Sequence, residues 1–173
     1  MLVNDVKSVG RAASWLEKRH ELSTNDANPC TLAAWPLVAF DGTIVACGND
    51  DVVDGPAPAH LRLGHAATDG WPAIRARCLA SNMLRAIRTV GPEYLNERLG
   101  SGTVTCNGYC ATCMQLSTDP EIETRVAAMM ARPSVGILEE QVTSLQRSAG
   151  ALSFMRRYGL PEYAELVTLG APA

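Results

Sequence analysis

Two stretches decide how this chain is read: Cys78-Leu79-Ala80-Ser81-Asn82-Met83-Leu84 and, farther along, Tyr109-Cys110-Ala111-Thr112-Cys113-Met114-Gln115. Cys110 and Cys113 form a C-x-x-C that follows a predicted strand at 103–106, crosses the Asn107-Gly108 turn and opens a predicted helix at 110–116. Peptide N–H groups at a helix start, with the dipole behind them, stabilise thiolates, the form of cysteine that binds zinc. Two thiolates do not complete a tetrahedral site, and a catalytic one needs a third protein ligand plus a water. Cys78, 32 residues upstream at the start of another helical pattern over 78–90, is the candidate third ligand.

Working outward, apolar residues between 5 and 21 recur at the period of a surface helix. Residues 31–40 read as a mostly apolar strand, Asp41-Gly42 as a two-residue hairpin turn, and 43–47 as the returning strand. Residues 48–72 are rich in Gly, Pro and Asp and read as a long loop with a short helix near 59–64. Helices are predicted at 93–99, 120–132, 139–158 and 161–169, and a buried strand at 134–138. Helices interleaved with strands indicate one layered α/β domain over residues 1–173.

Composition narrows the partners. A chain of 173 residues with 47% hydrophobic content buries one full core. Its net charge of -3 supplies no polycationic footprint, which argues against duplex nucleic acid or an anionic membrane and for a small-molecule ligand. No run of 18 apolar residues occurs, and the charged, amphipathic start does not read as a signal peptide. A cytoplasmic protein is therefore expected, with its six cysteines reduced or metal-bound.

The order of hairpin, loop, Cys at a helix start, strand, and C-x-x-C resembles the zinc deaminases, the cytidine and blasticidin types above all. Those enzymes carry C-A-E-R-N-A-I, of which this chain keeps Cys78, Asn82 and the apolar pair Met83-Leu84; of P-C-x-x-C-R-Q it keeps Cys110, Cys113 and Gln115. The resemblance spans roughly residues 29–117. It implies a three-layer α/β/α fold with a mixed central sheet, a zinc ion held by Cys78, Cys110 and Cys113, and a homodimer or homotetramer. It also implies that a zinc-activated water replaces the exocyclic amine of an aminopyrimidine-type nucleoside, nucleotide or base, with guanine- or adenine-type purines as an alternative substrate class. From the family's G-x-N-x-E, Asn49 and Asp51 would orient the substrate.

Three departures qualify it. Tyr109 replaces the family's Pro, the loop at 50–77 is long, as in the deoxycytidylate subclass, and Ala80 stands where a Glu should move protons. Losing a positioned acid/base costs ~10²–10⁴-fold or more. The chain as written is expected to be nearly inactive, either as a natural zinc-stabilised binding protein or through replacement of Glu by Ala at position 80.

Other readings stay open. The C-x-x-C is also compatible with buried thiols or redox chemistry. Cys30, Cys47 and Cys106 read as core. His60 and His65 are loop histidines that could approach the site, although Arg62 stands where a second acidic motif would need Glu. Phe40 and Trp71 are candidate stacking surfaces for a base or simply core, and Asn49 and Asp51 are equally natural turn formers.

Overall fold

The structure is a computed structural model that describes residues 27–102 and 108–149. Strands β1 (Leu37–Val38), β2 (Thr43–Val45) and β3 (Arg62–His65) form an antiparallel sheet with β2 in the middle. Helices α1 (Asp50–Val53), α2 (Trp71–Ala80), α3 (Asn82–Val90), α4 (Pro92–Leu99), α5 (Tyr109–Gln115), α6 (Ile122–Met130) and α7 (Pro133–Ala149) complete a mixed α/β structure. The helices expected at 5–21 and 161–169, the strand at 103–106 and Cys106 lie outside the described residues. Among the described residues no helix is long and apolar enough to cross a membrane.

The hairpin forms where expected, but its loop has three residues. Leu37 pairs with Val45 and Val38 with Ile44, while Ala39 donates to the Thr43 carbonyl and accepts from the Gly42 N–H. Gly42, at φ 87°, supplies the left-handed residue that closes such a loop. Asp41 fixes the turn by accepting from the Thr43 N–H and hydroxyl. The strand expected over 31–40 shrinks to Leu37–Val38. Pro36 has no N–H to give a ladder, and upstream the N–H groups of Asn28 and Cys30 bond the carbonyls of Val90 and Ile87 at the end of α3.

The single helix expected over 78–90 is two. Ser81 adopts extended backbone and its hydroxyl accepts from the Leu84 N–H, which caps α3. Cys78 therefore lies in the last turn of α2, not at a helix start. The strand expected at 134–138 is also overturned. Pro133 opens α7, where its missing N–H costs nothing, and the Val-Gly-Ile-Leu run continues as helix with Ile137 exposed. The presumed loop at 48–72 contains α1 and β3; four residues including a glycine gave too short a period to read.

Two apolar clusters organise the interior. One joins α3, α4 and α6 through Ile87, Val90, Leu95, Ile122 and Val126. The other packs the sheet on α2 and the start of α3 through Val45, Leu61, Leu63, Ile74, Cys78 and Leu84. Cys113 of α5 touches both. Helix α7 is tied on by a bidentate Arg85–Glu139 pair, with N···O distances of 2.8 and 2.6 Å.

Asp69 links β3 to α2. Its carboxylate pairs with Arg77 at 2.6 Å and accepts from the His65 N–H at 2.9 Å. These hydrogen bonds, that from Arg77 foremost, pull its pKa from 3.8 down to about 2. A carboxylate ionised more readily folded than unfolded stabilises the fold above its unfolded pKa and ceases to as pH falls through its folded one. Between pH 4 and 2 the melting temperature of the native chain should therefore drop toward that of Asp69→Asn. A gap between the two proteins that stays constant across this window would show that the ion is not what Asp69 contributes.

Candidate functional site

The site begins with α5. Gly108, at φ 102°, turns the chain into the helix, and Thr112 donates its hydroxyl to the Gly108 carbonyl at 2.9 Å. Cys110 and Cys113, three apart, fall on one side of this short helix and line a cavity of about 230 Å³. Across from them the wall is built by Cys30 of the segment tied to α3, by Cys47 just after β2, and by Asn49, the cap of α1. Tyr109 completes it, its hydroxyl donating to the Asn28 carbonyl. The wall is mainly apolar and includes Leu61 and Met114.

Of the residues singled out from the sequence, Asn49, Cys110 and Cys113 come together here. Asn49 accepts the Asp51 N–H on its Oδ1 at 2.9 Å, which leaves its NH₂ as the donor available to a ligand. Asp51 is exposed and not part of the wall. Cys78, only 1% exposed, packs within the sheet-side core with Arg88 Nη1 at 3.9 Å from its sulfur, and it does not line the cavity. Burial raises the Cys78 thiol pKa, an effect that the nearby Arg88 charge opposes. Ala80 is exposed at the end of α2, also away from the cavity wall. Phe40, 89% exposed at the hairpin tip, and Trp71, exposed at the start of α2, are surface residues.

The structure also recruits Cys30 and Cys47, which the sequence did not assign to the site, and brings to it His60, one of the two loop histidines expected to be able to approach it. Cys30 and Cys47, read as core, are half-buried cavity residues. They sit far from the C-x-x-C in the chain, and no spacing rule connects them to it. His60 is 6% exposed and places Nε2 3.7 Å from the Cys113 sulfur. Its Nδ1 contacts the Ser117 hydroxyl, which also accepts the His60 N–H. The other loop histidine, His65, is occupied at the hairpin, where Nε2 meets the Asp41 carbonyl at 3.0 Å and Nδ1 accepts from the Ala67 N–H.

The electrostatics follow from burial. Exclusion from water lowers the His60 pKa to about 4, so its imidazole is neutral at pH 7. Burial pushes the Cys113 thiol up strongly, and the neighbouring Cys30, Cys47 and Cys110 add to the shift. Tyr109 is raised for the same reason, with Cys30 and Cys113 contributing. Burial therefore keeps the Cys113 thiol and the Tyr109 phenol of the wall, and the His60 imidazole beside Cys113, in their uncharged forms.

Zinc tests this donor set. The trio Cys78, Cys110 and Cys113 is not brought together, because Cys78 faces Arg88 in the core while the other two face the cavity. As the side chains stand, no three His, Cys, Asp or Glu residues among those described converge closely enough to hold a metal ion. No protein-family model, curated protein or solved structure matches this chain.

Proposed function

We propose that this chain is a deaminase-related protein that binds a single-ring, amine-bearing ligand of the aminopyrimidine type and does not turn it over. The observation that carries this reading is the shared cavity of Asn49, Cys110 and Cys113, from which Ala80 is absent. A volume of about 230 Å³ lies below the ~300–1,000 Å³ of sites for drug-sized ligands, which favours a base over a nucleoside or nucleotide. The apolar wall accommodates the ring faces, and the Asn49 NH₂ and Tyr109 hydroxyl supply polar orientation. The three-layer α/β/α architecture with a mixed sheet is the arrangement that this relationship implies.

The second reading, a hydrolytic zinc deaminase silenced by Ala80, rests on the motif around Cys78 and Asn82. One experiment separates the two. Cytosine-, cytidine- and guanine-type compounds are screened by thermal shift, and ammonia release is followed with Ala80→Glu. On the binding reading a cytosine-type base at about 100 times its Kd stabilises the fold by about 2.7 kcal/mol. Asn49→Ala loses that shift, and Ala80→Glu releases no ammonia, since position 80 is off the cavity wall. Ammonia release restored by ~10²–10⁴-fold with Ala80→Glu would establish the enzyme reading instead. A panel that shifts no melting curve would remove the binding one.

A further inference from the structure

Cys113 and Ser117 stand one helical turn apart, the first in α5 and the second in the 3₁₀ turn Leu116–Thr118 that follows it, so their side chains share a side. His60 reaches that side from the turn Ala59–Leu61 before β3. Its Nε2 lies 3.7 Å from Cys113 Sγ, and its Nδ1 contacts Ser117 Oγ, which also accepts the His60 backbone N–H at 3.4 Å. Thiol, imidazole and hydroxyl therefore form a chain in which each ring nitrogen meets one partner.

A histidine that only filled the core would find two partners as well. What sets this one apart is where the chain of contacts leads. The Cys113 thiol is part of the wall of the 230 Å³ cavity, whereas His60 is 6% exposed and borders a separate cavity with Ser81, Asn82 and Glu123. The thiol is presented to a ligand, and the imidazole contacts it from outside that ligand's cavity. A nucleophile beside a base, with a third group orienting the base, is the arrangement of covalent catalysis. Burial keeps both the thiol and the imidazole uncharged, so the sulfur gives up its proton as it forms a bond, in the manner of a Ser–His pair, and does not wait as a thiolate.

We infer that Cys113 is a nucleophile that takes a short acyl group from a small thioester or activated ester, with His60 as its general base and Ser117 as the residue that positions the imidazole. With the Nδ1 proton donated to Ser117 Oγ, the Nε2 lone pair faces the thiol. Sγ attacks the carbonyl carbon and forms the S–C bond while the thiol proton passes to Nε2. The bond from that carbon to the leaving sulfur or oxygen breaks, and the leaving group departs with the electron pair as an anion. The acyl group is then a thioester on Cys113, and the imidazolium, disfavoured by burial, loses its proton to water through the second cavity.

The separate placement of His60 also selects the substrate class. An imidazole that does not border the ligand cavity delivers no proton to a leaving group there, so thiolates and phenolates leave and alkoxides or amines do not. The small cavity and its apolar wall, with Leu61 and Met114, suit a short apolar acyl chain. The Asn49 NH₂ on the same wall is the donor for the carbonyl oxygen as it gains charge. The assignment goes beyond ring binding and does not rest on it.

The test treats the full chain, in EDTA so that no metal occupies the thiols, with p-nitrophenyl acetate, and follows p-nitrophenolate release together with peptide mass spectrometry. A burst of about one equivalent per chain is expected, with the acetyl group on Cys113 ahead of every other cysteine. The burst should be slower in deuterium oxide, because a proton moves in the attacking step. His60→Ala should slow it by ~10²–10⁴-fold and abolish the isotope effect. Ser117→Ala should slow it too, and Ser117→Thr, which keeps the hydroxyl, should restore it.

An acetyl group spread evenly over the cysteines overturns the assignment, as does a native burst of equal rate in light and heavy water. A Ser117→Ala or His60→Ala protein that acylates at the native rate overturns it equally. If His60→Ala does not fold, the isotope effect on the native chain and the Ser117 pair of variants still decide, since neither requires removal of the buried ring.

Discussion

Gly91→Ala is expected to destabilise the fold by about 2–6 kcal/mol. Gly91 sits at φ 85°, where an L side chain is strained by about 1–3 kcal/mol. Its added Cβ would fall 2.1 Å from the Asn28 carbonyl oxygen and 3.0 Å from the Tyr109 hydroxyl. The first of these atoms is backbone, so relief requires the segment around Asn28 to move, and overpacking of this kind costs about 1–3 kcal/mol more. That segment carries Cys30, and the Tyr109 hydroxyl is anchored to the same carbonyl. The substitution should therefore disturb the cavity as well as the stability. Chemical denaturation measures the first effect. The second is read from the intrinsic fluorescence of Tyr109, compared in native and Tyr109→Phe backgrounds. A Gly91→Ala protein within ~0.5 kcal/mol of the native chain would mean that Asn28 is not held against α3.

Ile87→Ala should cost about 2–5 kcal/mol, the range for deleting three buried carbons from a packed core. Ile87 is 0% exposed and stands in the helical cluster between α4 and α6, while its carbonyl accepts the N–H groups of both Cys30 and Gly91. The helix itself is not the loss, since alanine is the better helix former. What disappears is side-chain packing, so the urea midpoint should fall with little change in the slope of the transition. Ile137→Ala on the exposed face of α7 provides the control and should stay within ~0.5 kcal/mol. Equal effects at the two positions would contradict the burial assigned to α3.

Against domain stabilities of 5–15 kcal/mol, either of the two large substitutions removes a sizeable fraction of the whole. Both act at the end of α3, where the segment carrying Cys30 is fastened. The stability of the helical cluster and the shape of the thiol-lined cavity therefore depend on the same few backbone contacts, from Asn28 to Val90 and from Cys30 to Ile87.

The sequence by itself determined the local elements whose signals are local: the hairpin around Asp41-Gly42, the helices that became α4 and α6, the opening of α5 at the C-x-x-C, and the mixed α/β class. Turn glycines, proline stops and apolar period act over a few residues and can be read there. It misjudged α7, because a Val-Gly-Ile-Leu run suits a strand until Pro133 sets a helix start. It also misjudged the 78–90 helix, because Ser81 reads as an ordinary polar residue until its hydroxyl is seen capping α3. Only the tertiary structure decided the site. Cys78 carries the spacing of a ligand, yet its position in the last turn of α2 turns its sulfur into the core beside Arg88. Cys30, Cys47 and His60 carry no such spacing and still arrive around Cys113. Which thiols share a cavity depends on long-range packing of the hairpin, the turn before β3 and α5, and no periodicity along the chain encodes it.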